Sequence, residues 1–247
     1  MSALAPAALP GAQQRTEELE RTLRAIAIER APAALASSLG AEDMVLTDVI
    51  LRVGIAIEIF TLDTGRLHPE TLELLERVRK RYGYDIRVYH PDSAAVERYV
   101  RELGLDAIYR SVDLRRRCCE IRKVEPLARA LAGKSAWVSG LRRAQSVTRT
   151  QLPLGEFDAA HGLWKFNPLA EWSEPEVWEY LHRGGVPYNA LHDRGFRSIG
   201  CAPCTRPTTV GEDLRAGRWW WEDAQTKECG LHPRRAQPPD EQVGQHP

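Results

Sequence analysis

No stretch of the 247 residues approaches the ~20 consecutive apolar residues that a membrane-spanning helix needs. The longest candidate, residues 45–60, is broken by Asp48, Arg52 and Glu58. Met1 to Ala12 is apolar but lacks a basic start and is interrupted by Pro6 and Pro10, so it reads as a disordered leader rather than a secretory signal. Net charge is absent too, with 34 basic against 34 acidic side chains. A general nucleic-acid binder would be basic overall, and none is expected here. Cysteines are few and odd in number, at 118, 119, 201, 204 and 229. Without a secretory signal they do not make a disulfide framework; metal or redox chemistry in a cytoplasmic protein is the expectation. There are no internal repeats, and no Gly-Lys-Ser/Thr ending that would mark a Walker loop.

What is present is an alternation of short apolar runs and amphipathic stretches. Helices are expected over 16–30, 43–52, 69–82, 93–103, 117–131 and 174–183, and strands over 33–37, 56–62, 85–89 and 136–139. Strands alternating with helices imply parallel βαβ units in an open sheet, whose ligand lies at the carboxyl ends of the strands. Ser37-Ser-Leu-Gly-Ala-Glu-Asp43 and Asp63-Thr-Gly65 both fall at such ends. The pattern changes after about residue 160, and from Pro233 the composition of Pro, Gln and charge reads as disordered. The expected organisation is a leader over 1–15, a main domain over 16–222 and a mobile tail over 223–247.

The charge balance hides one local excess: from Arg110 to Thr150 eleven basic residues face three acidic ones, which suits a local anionic ligand or a solvated helix face. The turn at 37–43 exposes backbone N–H groups and serine hydroxyls to an anion, or is an ordinary capped βα turn. Cys201-Ala-Pro-Cys204 with the adjacent pair Cys118-Cys119 supplies four thiolates for zinc or an iron–sulfur cluster. Neighbouring cysteines diverge and make a poor zinc knuckle, which favours the cluster. Cys229 stands apart in Lys227-Glu-Cys-Gly-Leu-His232, where nearby cations favour its thiolate, unless it is a stray cysteine of the tail. Trp219-Trp-Trp221 is expected to anchor the segment before the tail, or to form an aromatic platform. His68, His90, His161 and His192 have no ligand-like spacing and are read as structural.

These motifs, taken in order, resemble the assimilatory adenylylsulfate (APS) reductases, relatives of the phosphoadenylylsulfate (PAPS) reductases. The likeness runs over about 30–232 through Ser37–Asp43, Leu62-Asp-Thr-Gly65, Cys118-Cys119 with Arg122-Lys123, Ser139-Gly-Leu-Arg-Arg143, Phe166-Asn-Pro-Leu169, Cys201-Ala-Pro-Cys204 and Glu228-Cys-Gly-Leu-His232. The resemblance implies an α/β, Rossmann-like adenine-nucleotide-binding fold. It implies a [4Fe–4S] cluster on Cys118, Cys119, Cys201 and Cys204; because two thiols, Cys229 and one on thioredoxin, already supply both electrons, its role is read as electrostatic and structural. It implies that Cys229 attacks the sulfate sulfur of APS, releasing AMP, and that thioredoxin then frees sulfite from the S-sulfonate. Lys123, Arg143, Arg215 and Arg218 fall where the family places basic contacts, and His232 on the position that accompanies the nucleophile. The nucleotide loop maps to Ser37, Ser38, Gly40 and Asp43, with Asp63, Thr64 and Gly65 beside it. No thioredoxin-like domain follows before Pro247, so a separate reductant is expected. The competing readings are a PAPS reductase, a sulfur transferase acting on tRNA on a similar fold, and a non-catalytic zinc-ribbon module. The sequence leaves a homo-oligomer open.

Overall fold

The computed structural model describes residues 11–145, 149–223, 226–227 and 230–231. Cys229 and His232 lie outside the described residues, as does the tail beyond them.

Among the described residues six strands form one sheet in the order β3-β2-β1-β4-β6-β5. They are β1 (Ala33–Ala36), β2 (Ile57–Leu62), β3 (Arg87–Tyr89), β4 (Ala136–Val138), β5 (Gly155–Asp158) and β6 (Leu163–Phe166). All pairings are parallel except β5 with β6. The helices are α1 (Ala12–Glu29), α2 (Ala41–Val53), α3 (Pro69–Tyr82), α4 (Ser93–Leu103), α5 (Val112–Cys119), α6 (Glu125–Leu131) and α7 (Glu174–Arg183). Among the described residues no helix is long and apolar enough to cross a membrane.

Strand β1 shows why the sheet sits where it does. Ala33 and Leu35 join one apolar cluster with α1, α2 and α7, while Ala34 joins another with Phe60, Trp137 and the α6 residues Leu127, Ala130 and Leu131. A strand covered on both faces carries no polar alternation, as expected for a central parallel strand. The chain leaves β1 towards β2 and later returns to β4 on its other side, so the direction of winding reverses between β1 and β4. Ligands of such sheets bind at this reversal, outside the carboxyl ends of the two strands.

Several expectations are corrected. Helix α1 begins at Ala12 rather than Thr16, and β3 is only three residues long. The helix expected over 117–131 starts earlier, at Val112, where the Ser111 hydroxyl accepts the Leu114 N–H as an N-cap. It is then interrupted by a π-turn over Glu120–Val124 before α6. Pro126 has no N–H to give to the preceding turn, and wider turns take up such breaks. The β5–β6 hairpin was not anticipated. Its strands have four residues each, and β6 carries Lys165, buried to 6% exposure with its ammonium 4.9 Å from the Trp137 ring centroid. A cation inside a central strand hides the strand pattern from the sequence.

Candidate active site

A cavity of about 220 Å³ opens at the reversal between β1 and β4. Ala36, Ser37 and Ser38 line it from the end of β1, and Ser139, Gly140 and Leu141 from the end of β4. The turn after β1 is held by its own side chains. Ser37 Oγ accepts the Leu39 N–H at 3.2 Å, and one oxygen of Asp43 accepts both the N–H and the hydroxyl of Ser38 at 2.6 Å. The other Asp43 oxygen accepts the Gly140 N–H at 3.1 Å, tying the two strand ends together. A side chain at position 140 would place its Cβ 2.4 Å from that oxygen, so glycine is required there. Leu39, fully buried, has φ +60°, a conformation that costs a non-glycine residue about 1–3 kcal/mol and must be enforced by its surroundings. Ser37, Ser38, Gly40 and Asp43 therefore all line the cavity, but Asp43 spends its oxygens on shaping the turn. The N–H groups of Ser38 and Leu39 are spent with them, so the first turn of α2, which has no side-chain cap, is what the loop presents to a ligand.

Burial pushes the Asp43 carboxyl up to about 6, against the lowering effect of the Ser38 bonds. The folded state then holds more protons than the unfolded one between the usual carboxylate value of 3.8 and about 6. Stability from this group is full below the lower value and is lost as pH rises to the upper one. The urea midpoint should fall across that window, and Asp43→Asn should flatten the fall. Parallel profiles for the two proteins would show that Asp43 titrates normally.

Among the described residues five cations ring the cavity: Lys123, Arg149, Arg197, Arg215 and Arg218. Arg149 and Arg197 were not singled out from the sequence. Arg197 comes from a loop with no motif, and Arg149 was one of eleven in the basic segment. Arg143 does not line the cavity; its guanidinium pairs with Glu171 and donates to the Leu152 carbonyl at 2.8 Å. Its neighbour Arg142 is the buried one, donating to Glu42 at 2.9 Å and to the Trp172 carbonyl at 3.2 Å. His192, read as structural, reaches the lining too, and burial lowers its pKa.

Of the motif after β2 only Thr64 lines the cavity. Asp63 accepts the Gly65 N–H at 2.9 Å and faces His90 at 3.6 Å. Gly65, at φ +68°, lies where a Cβ would come 3.4 Å from the Arg122 guanidinium. This turn is a bracket: the Arg66 carbonyl accepts the Ala202 N–H at 2.8 Å, and Arg122 donates to the Thr64 carbonyl at 2.7 Å. It fastens the Cys201–Cys204 turn to the sheet.

Beside the cavity, separated from it by Lys123 and Trp219, which border both, is a smaller buried pocket. Cys118, Cys119, Cys201 and Cys204 all line it, together with Arg66, Arg115 and Arg122. The four thiols are buried and no disulfide joins them. Among the described residues no set of three or more His, Cys, Asp or Glu side chains is arranged to hold a single metal ion. The thiols are unequal. Burial pushes Cys204 up to about 11 and raises Cys118. Burial acts the same way on Cys201, but Lys123, the Thr64 hydroxyl at 3.2 Å and Arg218 outweigh it and hold that thiol below its usual value. Trp219, 1% exposed, packs against the guanidinium groups of Arg115 and Arg218, each 4.6 Å from its ring centroid. Trp219 and the half-buried Trp221 thus anchor the segment, as expected, while Trp220 faces outward at 41% exposure.

The described flanks of Cys229 sit at the same place. Arg215 donates to the Lys227 carbonyl at 3.1 Å. Leu231, two residues after Cys229, lines the cavity and packs against the cluster of Phe60, Leu127 and Trp137.

An open, mostly parallel sheet with a cation-ringed cavity at its reversal point and a four-thiol pocket alongside defines a Rossmann-like nucleotide-binding class with a sulfur-rich site. A family model described as the phosphoadenosine phosphosulfate reductase domain matches residues 32–207, and the chain belongs to that family. It is 61% identical to a protein of Allochromatium vinosum named adenosine 5′-phosphosulfate reductase, over 86% of this chain and 82% of that one. A protein of the same name from Burkholderia cepacia is 56% identical over 94% of this chain and 92% of its own length. Among solved structures, the phosphoadenylyl-sulfate reductase of Candida auris aligns with a TM-score of 0.67 at 24% identity, covering 83% of this chain and all of that one. The FMN adenylyltransferase of Candida glabrata aligns at 0.58 with 14% identity, covering 95% of this chain and 82% of that one. These two likenesses concern the fold.

Proposed function

We propose that this chain is an oxidoreductase of sulfate assimilation that reduces adenosine 5′-phosphosulfate to sulfite and AMP. The relatives that carry that name at 61% and 56% identity support the reading. The observation that carries it is the meeting of five cations and Leu231, the near neighbour of Cys229, at one cavity. A phosphosulfate and a thiolate are both anionic, and their approach must be offset by fixed positive charge. The first turn of α2, shaped by the loop Ser37–Gly40, would hold the phosphate, and Arg149, Arg197, Arg215 and Arg218 the sulfate side. Lys123, between the two pockets, would stabilise charge at the reacting sulfur. The Cys229 thiolate attacks that sulfur; the S–O bond to the phosphate breaks, and AMP leaves with the electron pair. Leu231 and the apolar residues behind it exclude water from the bond being broken. A thioredoxin thiolate then attacks Cys229 Sγ and sulfite leaves. The second thioredoxin thiol resolves the mixed disulfide, so the two thiols supply both electrons. The reading places the enzyme in the cytoplasm, where such thiols stay reduced.

The residues of the small pocket fit a [4Fe–4S] cluster held by Cys118, Cys119, Cys201 and Cys204. Four buried thiols face one space, and Trp219 at its wall keeps a buried Nε1–H with no acceptor among the described residues. When bound, the cluster supplies a rigid tie between α5 and the 201–204 turn and a large fixed charge beside Lys123. Anaerobically purified protein should contain about four iron and four sulfide per chain, and Cys204→Ser should bleach it. Stoichiometric zinc without visible absorbance would remove the cluster from the reading.

Side-by-side kinetics with thioredoxin test the substrate. The expected kcat/KM for the nucleotide without a 3′-phosphate is at least about tenfold higher, roughly 1.4 kcal/mol in the transition state. A preference for the 3′-phosphorylated substrate would make the chain a PAPS reductase.

A further inference from the structure

An aromatic surface lies next to the segment that carries Cys229, and nothing in the chemistry above uses it. Trp220 is 41% exposed, Tyr109 43% and Leu105, in the turn leading to Tyr109, 50%. The three rings pack on one another: Tyr109 and Trp221 are 4.5 Å apart, Trp220 and Trp221 4.7 Å, and Tyr109 and Trp220 6.4 Å, between centroids. The patch is rigid from beneath. Tyr109 donates its hydroxyl to the Pro203 carbonyl at 2.9 Å, inside the Cys201–Cys204 turn, and Trp219 N–H donates to the Cys204 carbonyl at 3.1 Å.

The patch also lies near a described part of the segment that carries Cys229. Glu222 follows Trp220 by two residues and accepts the Thr226 hydroxyl at 3.0 Å, while the Thr226 carbonyl accepts from Arg115 at 2.9 Å. Thr226 is therefore pinned beside the aromatic cluster. Three residues separate it from Cys229, a reach of at most roughly 10 Å at about 3.4 Å per residue. A protein whose thiol meets Cys229 covers about 800 Å² of surface if its interface is of ordinary size. A footprint of that size is wide enough to take in Trp220. Glu102, Asp106 and Arg110, exposed and close in sequence to Leu105 and Tyr109, are of both signs, so apolar contact rather than charge of one sign is what the patch offers. Exposed Trp and Tyr on a rigid base are the side chains that most often supply it.

We propose that Tyr109, Trp220 and Leu105 form the docking surface for the dithiol protein that reduces the Cys229 S-sulfonate. This rests on the function proposed above. The partner's face around its attacking thiol must be apolar and weakly charged to match. Docking does not change the chemistry: the partner thiolate forms a bond to Cys229 Sγ, the bond from that sulfur to the sulfonate sulfur breaks, and sulfite leaves with the pair.

The test uses the full-length holoenzyme with Trp220→Glu, and Leu105→Glu as an independent variant should the first fold poorly. Three readouts are compared: AMP released in a single turnover without reductant, steady-state turnover with dithiothreitol, and KM for thioredoxin as the protein dithiol. The expected result is an unchanged AMP burst and dithiothreitol rate with KM for thioredoxin raised about tenfold or more, the loss typical of one aromatic anchor. Trp220→Phe should restore most of it. An unchanged KM in both folded variants would overturn the docking surface while leaving the function intact. Absence of the AMP burst in the wild type would instead overturn the function. If sedimentation showed a dimer that Trp220→Glu dissociates with KM unaltered, the patch would be an interface between copies of this chain and the proposal would fall.

Discussion

Cys229→Ser should bind nucleotide as the wild type does and form no sulfite. The described residues around position 229 already bring the chain to the cavity, since Leu231 lines it and Lys227 is held by Arg215, itself in the lining. A serine hydroxyl is a far poorer nucleophile than a thiolate at neutral pH, and no other step replaces a missing covalent intermediate. Turnover should drop by a factor on the order of 10⁴ or more, with the Kd for AMP within about twofold of wild type. The wild-type enzyme mixed with substrate and no reductant should gain the mass of one sulfonate on the peptide that contains Cys229, with about one AMP released per chain. That adduct on any other cysteine, or substantial turnover by Cys229→Ser, would move the nucleophile elsewhere. Lys227 and Arg215 flank the same stretch, so an Arg215→Ala variant separates charge from nucleophilicity: it should slow the burst without moving the adduct.

The largest loss of stability is expected from Glu222→Ala. Arg115 is wholly buried and Glu222 is 3% exposed, and they join through two bonds of 2.6 and 2.9 Å. Arg115 lies over Trp219 and lines the four-thiol pocket. Removing the carboxylate leaves a buried guanidinium without its counter-charge, which costs about 3–5 kcal/mol. For a chain of this size that corresponds to a fall in Tm of roughly 10 °C. It also removes one of the two acceptors of the Thr226 hydroxyl, which keeps the Asp223 carbonyl at 2.9 Å. Thermal unfolding of the holoenzyme checks the number. Glu222→Gln keeps the hydrogen-bonding shape and should lose less. The double replacement Arg115→Met with Glu222→Leu should recover most of the loss, because a buried ion pair is worth little more than the apolar residues that could fill its volume. Equal losses in the single and double variants would mean that the segment, not the charge, sets the stability.

Much of the nucleotide half of the molecule was legible in the sequence. A run of small and apolar residues at 33–36 followed by Ser-Ser-Leu-Gly announces a buried strand and a tight turn, because only such residues allow a strand to be covered on both faces and a helix to begin at once. The pairing of Cys118-Cys119 with Cys201-Ala-Pro-Cys204 was legible as chemistry, and the fold brings those four thiols to one pocket. Other features were hidden. The partner of Arg115 stands 107 residues away at Glu222, and in a chain with 34 acids nothing local selects it. Arg142 and Arg143 are indistinguishable as neighbours in sequence, yet one is buried against Glu42 and the other pairs at the surface with Glu171. Their difference arises from the direction in which β4 ends, which is set by β1 and β6 on either side.

The sequence by itself determined the parallel α/β architecture, the turn that shapes the cavity and the cysteine pattern, because each depends on residue type and spacing along a few turns of chain. Only the tertiary structure decided which cations face the cavity, that Asp43 holds the loop instead of facing a ligand, that Trp219 and Lys123 stand between two pockets, and that Trp220 is left outside. Those outcomes depend on which strand ends and loops are brought together from distant parts of the chain, such as Asp43 with Gly140. Long-range packing sets them, and no local propensity encodes it.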